Sequence, residues 1–343
     1  MIEIKKRPTL VMTGGGTAGH VIPNFAIVSR VQHLFDIHYV GSRDSIEERL
    51  VAERGDLHWH AVTTGKLRRS FSPGAIINNL KMPFRVLCGI REARAHLKRI
   101  APAVVFSKGG FVSYPVVRAA ASLGIPVILH ESDLTMGLAN RRSLRYATTI
   151  LTSFEKTSKD IKDAKWVGAP IRDEIVVATS NRPSDGKNLL VMGGSLGAAA
   201  INKVMEESGE ELCAGWNVVH ITGRGKQTKF THPKYTQIEF ANDMPERLAW
   251  ADVVVTRAGA GAVFELLALQ KPMVLVPLST GRGDQIQNAR EVESWGAAFH
   301  LPENALSGAT LAVAINSAPK PGQLPNINGT AEIAKLLAKY AEN

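Results

Sequence analysis

Two stretches about half the chain apart open in the same way, and they constrain the fold more than any other feature. The first reads Leu10-Val11-Met12-Thr13-Gly14-Gly15-Gly16-Thr17-Ala18-Gly19-His20, and the second reads Leu190-Val191-Met192-Gly193-Gly194-Ser195-Leu196-Gly197. Each is a short apolar run, a glycine turn and the start of a helical pattern. Such an opening begins a β-α-β unit, and its repetition implies two doubly wound units. The length of 343 residues suits two domains of the usual size, roughly 150 residues each. With 45% apolar and 21% charged residues, the chain has material for two cores. That composition excludes a disordered, collagen-like or disulfide-scaffold chain.

Short β-rich runs alternate with helical segments throughout, as in parallel sheets covered by helices on both faces. The first half predicts strands at Thr9–Met12, His38–Val40, Val104–Phe106, Val127–Leu129 and Thr149–Thr152. The second predicts them at Asn188–Met192, Asn217–Ile221, Gln237–Phe240, Val253–Thr256, Met273–Val276 and Ala298–Leu301. The halves join near Lys165–Asp173, which divides the chain into residues 1–167 and 168–327. In the final stretch Ile333, Leu336, Leu337 and Tyr340 share one helical face. A helix in segment 328–343 is therefore expected to return and complete the first domain.

Cys88 and Cys213 lie far apart, with no CxxC and no His/Cys cluster. Neither a disulfide framework nor a structural zinc site is expected, and a reducing compartment is the default. No run reaches the roughly 18 apolar residues of a spanning helix. Lys5-Lys6-Arg7 is followed only by Leu10-Val11-Met12 before the glycines, too short for a signal peptide. The chain reads as one made and kept in the cytoplasm.

The net charge of +10 is concentrated. Residues 61–100 hold Lys66, Arg68, Arg69, Lys81, Arg85, Arg91, Arg94, Lys98 and Arg99 against one acid, Glu92. A polyanionic partner surface is implied. Nucleic acid fits poorly, because Phe71 and Phe84 make no stacking platform and no nucleic-acid module motif is present. An anionic membrane surface fits better. Leu80, Phe84, Leu87 and Ile90 recur at helical spacing with Arg85, Arg91 and Arg94 around them, the composition of an interfacial helix. The alternative is that this apolar stripe packs on the core and the arginines are solvated.

Gly14-x-Gly16-x-x-Gly19 formally matches a dinucleotide fingerprint. The second strand, however, ends Tyr39-Val40-Gly41-Ser42 without the carboxylate a nicotinamide dinucleotide needs. What the glycines imply is close backbone approach to an anion at a helix N-terminus. Downstream, Ala251–Glu265 reads as a strand, a small-residue loop and a helix carrying Glu265. A carboxylate only accepts hydrogen bonds, so there it suits ribose hydroxyls; otherwise it complements the helix dipole. Pro277–Asn288 is dense in short polar side chains, which suit sugar hydroxyls or an ordinary solvated loop.

Taken in order, five segments resemble the MurG family. They are Gly15-Gly16-Thr17-Ala18-Gly19-His20, Lys108-Gly109-Gly110-Phe111-Val112-Ser113-Tyr114-Pro115, His130-Glu131-Ser132-Asp133, Gly193-Gly194-Ser195-Leu196-Gly197-Ala198 and Arg257–Glu265. The resemblance implies a GT-B fold, α/β, with two Rossmann-like parallel-sheet domains facing a deep cleft. It implies inverting transfer of N-acetylglucosamine from UDP-N-acetylglucosamine to the 4-hydroxyl of the muramoyl sugar of lipid I, forming lipid II. The enzyme would sit peripherally at the cytoplasmic face of the cell membrane, serving cell-wall synthesis without a cofactor or a metal. Residues 1–167 would take the acceptor and the membrane, and residues 168–327 the donor.

Residue by residue, the resemblance gives Glu265 the ribose, the Ala241 backbone the uracil, Ser195 a phosphate and Arg172 the nucleotide. Ala260, Gly261, Ala262, Val263, Phe264, Glu265 and Gln285 would line the donor pocket, with Gln285 facing the sugar. Thr17, Ala18, Gly19 and His20 would lie beside the sugar and acceptor. Leu80–Arg94 matches the membrane-association region. Two residues depart from the pattern: Asp133 stands where many members have Asn, and Asp284 where many have Gln. N–H donors at Gly194–Gly197 would stabilise the departing diphosphate. His20 is the first candidate for the base, with Asp133 and Glu131 as rivals; otherwise His20 shapes the turn. The rival readings are a GT-B transferase acting on another lipid such as diacylglycerol, and a non-catalytic nucleotide-sugar or nucleic-acid binding protein.

Overall fold

The computed structural model describes residues 7–67, 72–180, 186–194 and 197–342. The chain forms two compact units. One comprises Met1–Ser132, Met136–Pro170 and Asn328–Asn343, and the other Asp133–Thr135 and Ile171–Ile327.

Among the described residues the first unit carries a seven-stranded sheet. Its strands are β1 (Thr9–Thr13), β2 (Asp36–Ser42), β3 (His58–Val62), β4 (Val104–Ser107), β5 (Val127–Glu131), β6 (Thr149–Thr152) and β7 (Ala164–Trp166). They run in the order β3-β2-β1-β4-β5-β6-β7, every pair parallel. The second unit has β8 (Asn188–Met192), β9 (Asn217–Ile221), β10 (Tyr235–Ile238), β11 (Val253–Thr256), β12 (Met273–Leu275) and β13 (Phe299–His300). Its order is β10-β9-β8-β11-β12-β13, also parallel.

Strand composition follows from burial on two faces. A parallel strand covered on both sides reads as a nearly continuous apolar run, and its side chains alternate between two cores. Leu10 and Met12 of β1 join Val28, Phe35 and Ile128, while Val11 joins Ala93, Leu97 and Val116. In the second unit Leu189 and Val191 pack with Ile201, Met205, Leu311 and Ile315. Helix Thr330–Ala338 buries Ile333 and Leu337 in the core that contains Leu10. Each such burial contributes about 1.5–3 kcal/mol.

Sequence patterning misses β3 and β7, the two edges of the first sheet. In β3 the residues His58-Trp59-His60 lack an apolar alternation because only part of an edge strand is covered. β7 has just three residues. β10 lies two residues earlier than its pattern predicts. The Ile238 carbonyl accepts from Thr222 N at 2.9 Å, after which the chain leaves the sheet and Phe240 is exposed.

His220 on β9 is fully buried. Its Nε2–H donates to Asn202 Oδ1 at 3.1 Å and its Nδ1 accepts from the Tyr235 hydroxyl at 2.7 Å. Burial pushes its pKa from 6.5 down to about 4. The unfolded imidazole therefore binds a proton across a range in which the folded one does not. The stability that this group contributes is full above pH 6.5 and is lost as pH falls toward 4. Urea midpoints should drop between about pH 7 and pH 5. His220→Gln, whose amide can keep both bonds, should flatten that drop; an unchanged pH dependence would assign it elsewhere.

Candidate active site

In an open parallel sheet, ligands bind beyond the carboxyl ends of the strands where the strand order reverses. The reversals here fall between β1 and β4 and between β8 and β11, and glycine-rich loops follow these strands.

In the first unit, Gly110 has φ +84°, and a β-carbon there would strike the Gly15 carbonyl. The loops after β1 and β4 therefore pack backbone against backbone. Beneath them Glu47 is fully buried. Its Oε2 accepts from Gly16 N at 3.1 Å and its Oε1 from Ser42 N at 3.2 Å. The buried Tyr39 hydroxyl donates to Gly14 O at 2.7 Å and accepts from Asn24 Nδ2 at 2.9 Å. Helix Ala18–Val31 starts directly after Thr17, so Ala18, Gly19 and His20 form its first turn. Thr17 Oγ1 and His20 Nδ1 are 2.9 Å apart.

A second polar group sits below the β4 and β5 ends. Lys108 Nζ contacts His130 Nδ1 at 2.8 Å and also bonds Ser132 Oγ. His130 Nε2–H donates to Gly168 O at 2.9 Å, so Nδ1 is the acceptor for the ammonium. Burial, reinforced by Lys108, keeps the imidazole pKa well below 6.5 despite the Gly168 bond. The buried Glu131 ties its own loop. Oε1 accepts from Ser132 N at 2.9 Å, and Oε2 from Gly137 N at 3.1 Å and Asn140 Nδ2 at 2.8 Å. That arrangement holds a turn and leaves Glu131 poorly placed to take a substrate proton.

In the second unit, Gly197 has φ +71° and lies so close to the Thr222 carbonyl that a side chain would collide. Asn202, on the following helix Ala199–Gly215, donates to Thr222 O at 3.0 Å and Lys226 O at 3.2 Å. These bonds pin the first turn of the helix to the loop after β9, and a helix start of this kind offers N–H groups that suit an anion. Ser195 and Leu196 of this loop lie outside the described residues, as do Arg68, Arg69 and Phe71 of the basic window. A β-carbon on Gly194, Gly259 or Gly261 would meet nothing within 4 Å, so these positions border open space.

Helix Ala260–Ala268 follows the β11 loop. Its period turns Val263 and Phe264 fully into the core. The expected lining by residues 260–265 thus falls to the half-exposed Gly261, Ala262 and Glu265. Glu265 Oε1 accepts from Arg172 Nη2 at 3.1 Å. Burial raises the Glu265 pKa above 4.5, opposed by the Arg172 guanidinium. Ala241 is buried just beyond β10. Gln285 Oε1 accepts from Leu278 N at 3.0 Å and so holds the loop after β12.

The two departures from the family pattern share one partner. Arg282 Nη2 lies 2.9 Å from Asp284 Oδ2 and 3.6 Å from Asp133 Oδ2. Asp133, which groups with the second unit, also accepts from Asn288 Nδ2 at 3.0 Å. The buried Asn288 donates to Ala258 O at 3.1 Å and accepts from Leu134 N at 2.9 Å. Arg257 donates to Val276 O at 3.1 Å and pairs with Glu303, bracing the β11 and β12 loops. Sequence reasoning assigned no role to Glu47, Lys108, His130 or Asn288. For Asn288 the signal was its place three residues after Gln285 and four before Val292, on the buried face of helix Asp284–Ser294.

A third feature is helix Pro73–Ile100, capped by Ser72 Oγ accepting from Ala75 N at 3.4 Å. Gly89, Ala93 and Leu97 form its buried face, and Ile90 packs against that same core rather than facing outward. Ile76, Ile77, Leu80, Phe84 and Leu87 are between 50% and 73% exposed. Glu92 turns inward, where Oε1 accepts from the Thr63 hydroxyl at 3.0 Å. The outward surface keeps Lys81, Arg85, Arg91, Arg94, Lys98 and Arg99. Among the described residues no helix is long and apolar enough to cross a membrane.

Paired parallel-sheet units with glycine loops at both reversals, and a carboxylate–guanidinium pair beside one of them, define a GT-B glycosyltransferase. The glycosyltransferase family 28 N-terminal domain matches residues 10–152 and the family's C-terminal domain matches 188–341. The chain belongs to the family of UDP-N-acetylglucosamine–N-acetylmuramyl-(pentapeptide) pyrophosphoryl-undecaprenol N-acetylglucosamine transferases. It is 42% identical to the Geobacillus kaustophilus (strain HTA426) member over 325 residues, 90% of each chain. It is 42% identical to the Clostridium tetani (strain Massachusetts / E88) member over 313 residues, 87% of this chain and 86% of that one. The fold matches the crystal structure of Acinetobacter baumannii MurG with TM-score 0.74 at 24% identity, covering 97% of this chain and 99% of that one. The calicheamicin glycosyltransferase CalG4 matches with TM-score 0.71 at 16% identity, covering 98% and 99%.

Proposed function

We propose that this transferase moves N-acetylglucosamine from UDP-N-acetylglucosamine to the 4-hydroxyl of the muramoyl sugar of lipid I, with inversion, giving lipid II. The observation that carries this reading is the 42% identity over 90% of both chains with a transferase of that name. The Glu265–Arg172 pair at a strand-order reversal supplies the matching chemistry.

The second unit takes the donor. Glu265 accepts hydrogen bonds from the ribose hydroxyls while Arg172 stabilises its carboxylate form. The Ala241 backbone meets the uracil, and Gly261, Ala262 and Gln285 border the sugar. The diphosphate sits on the loop 193–198 and the helix N-terminus behind it, with Ser195 as a further phosphate contact. As the acceptor oxygen attacks the anomeric carbon, the bond to UDP breaks and its electron pair passes to the departing phosphate oxygen. N–H groups at the start of helix Ala199–Gly215 meet that charge.

The proton of the acceptor hydroxyl goes to His20. Thr17 Oγ1 lies 2.9 Å from His20 Nδ1; in the tautomer protonated at Nδ1, Nε2 receives the proton. Glu131 is spent on its loop and Asp133 on Arg282 and Asn288, so His20 is the best placed of the three candidates.

The Pro73–Ile100 helix meets the anionic cytoplasmic face of the membrane, where lipid I is presented. Ile76, Ile77, Leu80, Phe84 and Leu87 enter the headgroup boundary, and the surrounding basic residues each contribute about 1 kcal/mol.

Release of UDP from UDP-N-acetylglucosamine, dependent on a lipid I analogue and not on diacylglycerol, tests the reaction itself. His20→Ala should lower kcat in this assay by roughly 10²–10⁴-fold with little change in donor affinity; unchanged turnover removes it from the base role. Glu265→Ala should weaken UDP binding in calorimetry by roughly ten- to a hundredfold, and equal affinity would refute the ribose assignment. Reversing charge at Arg85, Arg91 and Arg94 together should reduce sedimentation with anionic vesicles at low salt. Unaltered sedimentation would exclude this helix as the membrane surface.

A further inference from the structure

We propose that the amino ends of β2 and β3 form a binding site for a divalent transition-metal ion, zinc above all, with Asp36, His38 and His58 as ligands. The transfer chemistry and the membrane surface use none of these residues. Sequence spacing shows no metal motif here; strand register builds the site. His38 pairs with His58 across the two parallel strands. Asp36 precedes His38 by two residues, and the period of two puts all three on one face of the sheet.

His58 Nε2 lies 3.2 Å from Asp36 Oδ1, and His38 Nε2 lies 3.5 Å from Asp36 Oδ2. One ligand atom from each of the three residues lies within 4.8 Å of the others. Donors at 2.0–2.1 Å around a tetrahedral zinc stand about 3.3 Å apart. The two histidine–aspartate spacings are close to that value, each to a different carboxylate oxygen, and turning the carboxylate and the exposed His58 ring brings one donor from each residue onto a single ion. Among the described residues no other three His, Cys, Asp or Glu side chains gather this way.

Two imidazole nitrogens and a carboxylate oxygen, with coordination positions left for water, make a donor set suited to zinc. The set also has support behind it. His38 Nδ1 is 2.7 Å from His60 Nε2, and the two rings stack with centroids 5.0 Å apart. In the tautomer whose Nδ1–H donates to His60, the His38 ring is held with Nε2 available to coordinate an ion beside Asp36. Orientation of a ligating imidazole through its second nitrogen is the usual support of a metal site. His96, on helix Pro73–Ile100, continues the row 5.1 Å from His60.

The site lies at the opposite end of β2 from the glycine loops. Seven residues of strand, roughly 20 Å, separate the two ends. A bound ion would therefore fasten β3, which among the described residues is an edge strand next to β2, without touching reacting atoms.

The test is calorimetric titration of the full-length protein with zinc chloride at neutral pH, together with thermal unfolding with and without zinc. Wild type and His232→Asn, a histidine outside the row, should bind one zinc per chain and gain Tm with it. Asp36→Asn and His58→Asn should each bind at least about tenfold more weakly and lose the Tm gain. His58 is exposed, so its variant keeps the fold and the comparison stands if Asp36→Asn proves unstable. Absence of binding in wild type, or binding unchanged in His58→Asn, would overturn the proposal.

Discussion

Burial of β1 and β8 on both faces and along both edges is the constraint from which the rest follows. Residues such as Leu10, Val11 and Met12 are fully committed to two cores, so these strands contribute packing and no chemistry. Function is displaced to the loops at their carboxyl ends. The strand order reverses beside each of them, so neighbouring loops diverge and leave the backbone accessible. Glycine is what the chain can place there, because Gly110 and Gly197 sit where any side chain would strike a neighbouring carbonyl.

Beneath each accessible loop lies a layer of buried polar groups with assigned partners. Glu47, Tyr39 and Asn24 hold the first glycine turn, and the Lys108–His130 pair supports the loops after β4 and β5. In the second unit Asn202 ties its helix to the turn after β9, while Arg257 and Asn288 brace the turns after β11 and β12. Polar groups in such positions are costly unless satisfied and rigid when they are. Under the proposed reaction that rigidity would matter, because donors that stabilise a departing phosphate work only if they are already in place.

Helix Pro73–Ile100 divides its residues between a core-facing side and an exposed side. Gly89, Ala93 and Leu97 pack inward, and the sole acid of the basic window, Glu92, also turns inward to hold Thr63. The lysines and arginines described on the helix stay at the surface beside an exposed apolar stripe. Charge segregation in the sequence thus becomes spatial segregation, because one face of the helix is already consumed by the core.

Local patterning was enough to determine two strand–glycine–helix units, their central strands, the returning carboxyl-terminal helix and the basic apolar segment. Each of these depends on burial repeated along one element, and that repetition is written in the spacing of residues. The resemblance then picked out Glu265 and Arg172, but spacing could not show that they pair. Only the tertiary structure decided that Ile90, Val263 and Phe264 face cores, and that Asp133 and Asp284 meet at Arg282. It alone joined Asp36, His38 and His58 into one cluster on β2 and β3, a strand whose own pattern was too weak to read. Such encounters depend on strand register and on how distant elements pack, and residue spacing within one segment carries no information about either.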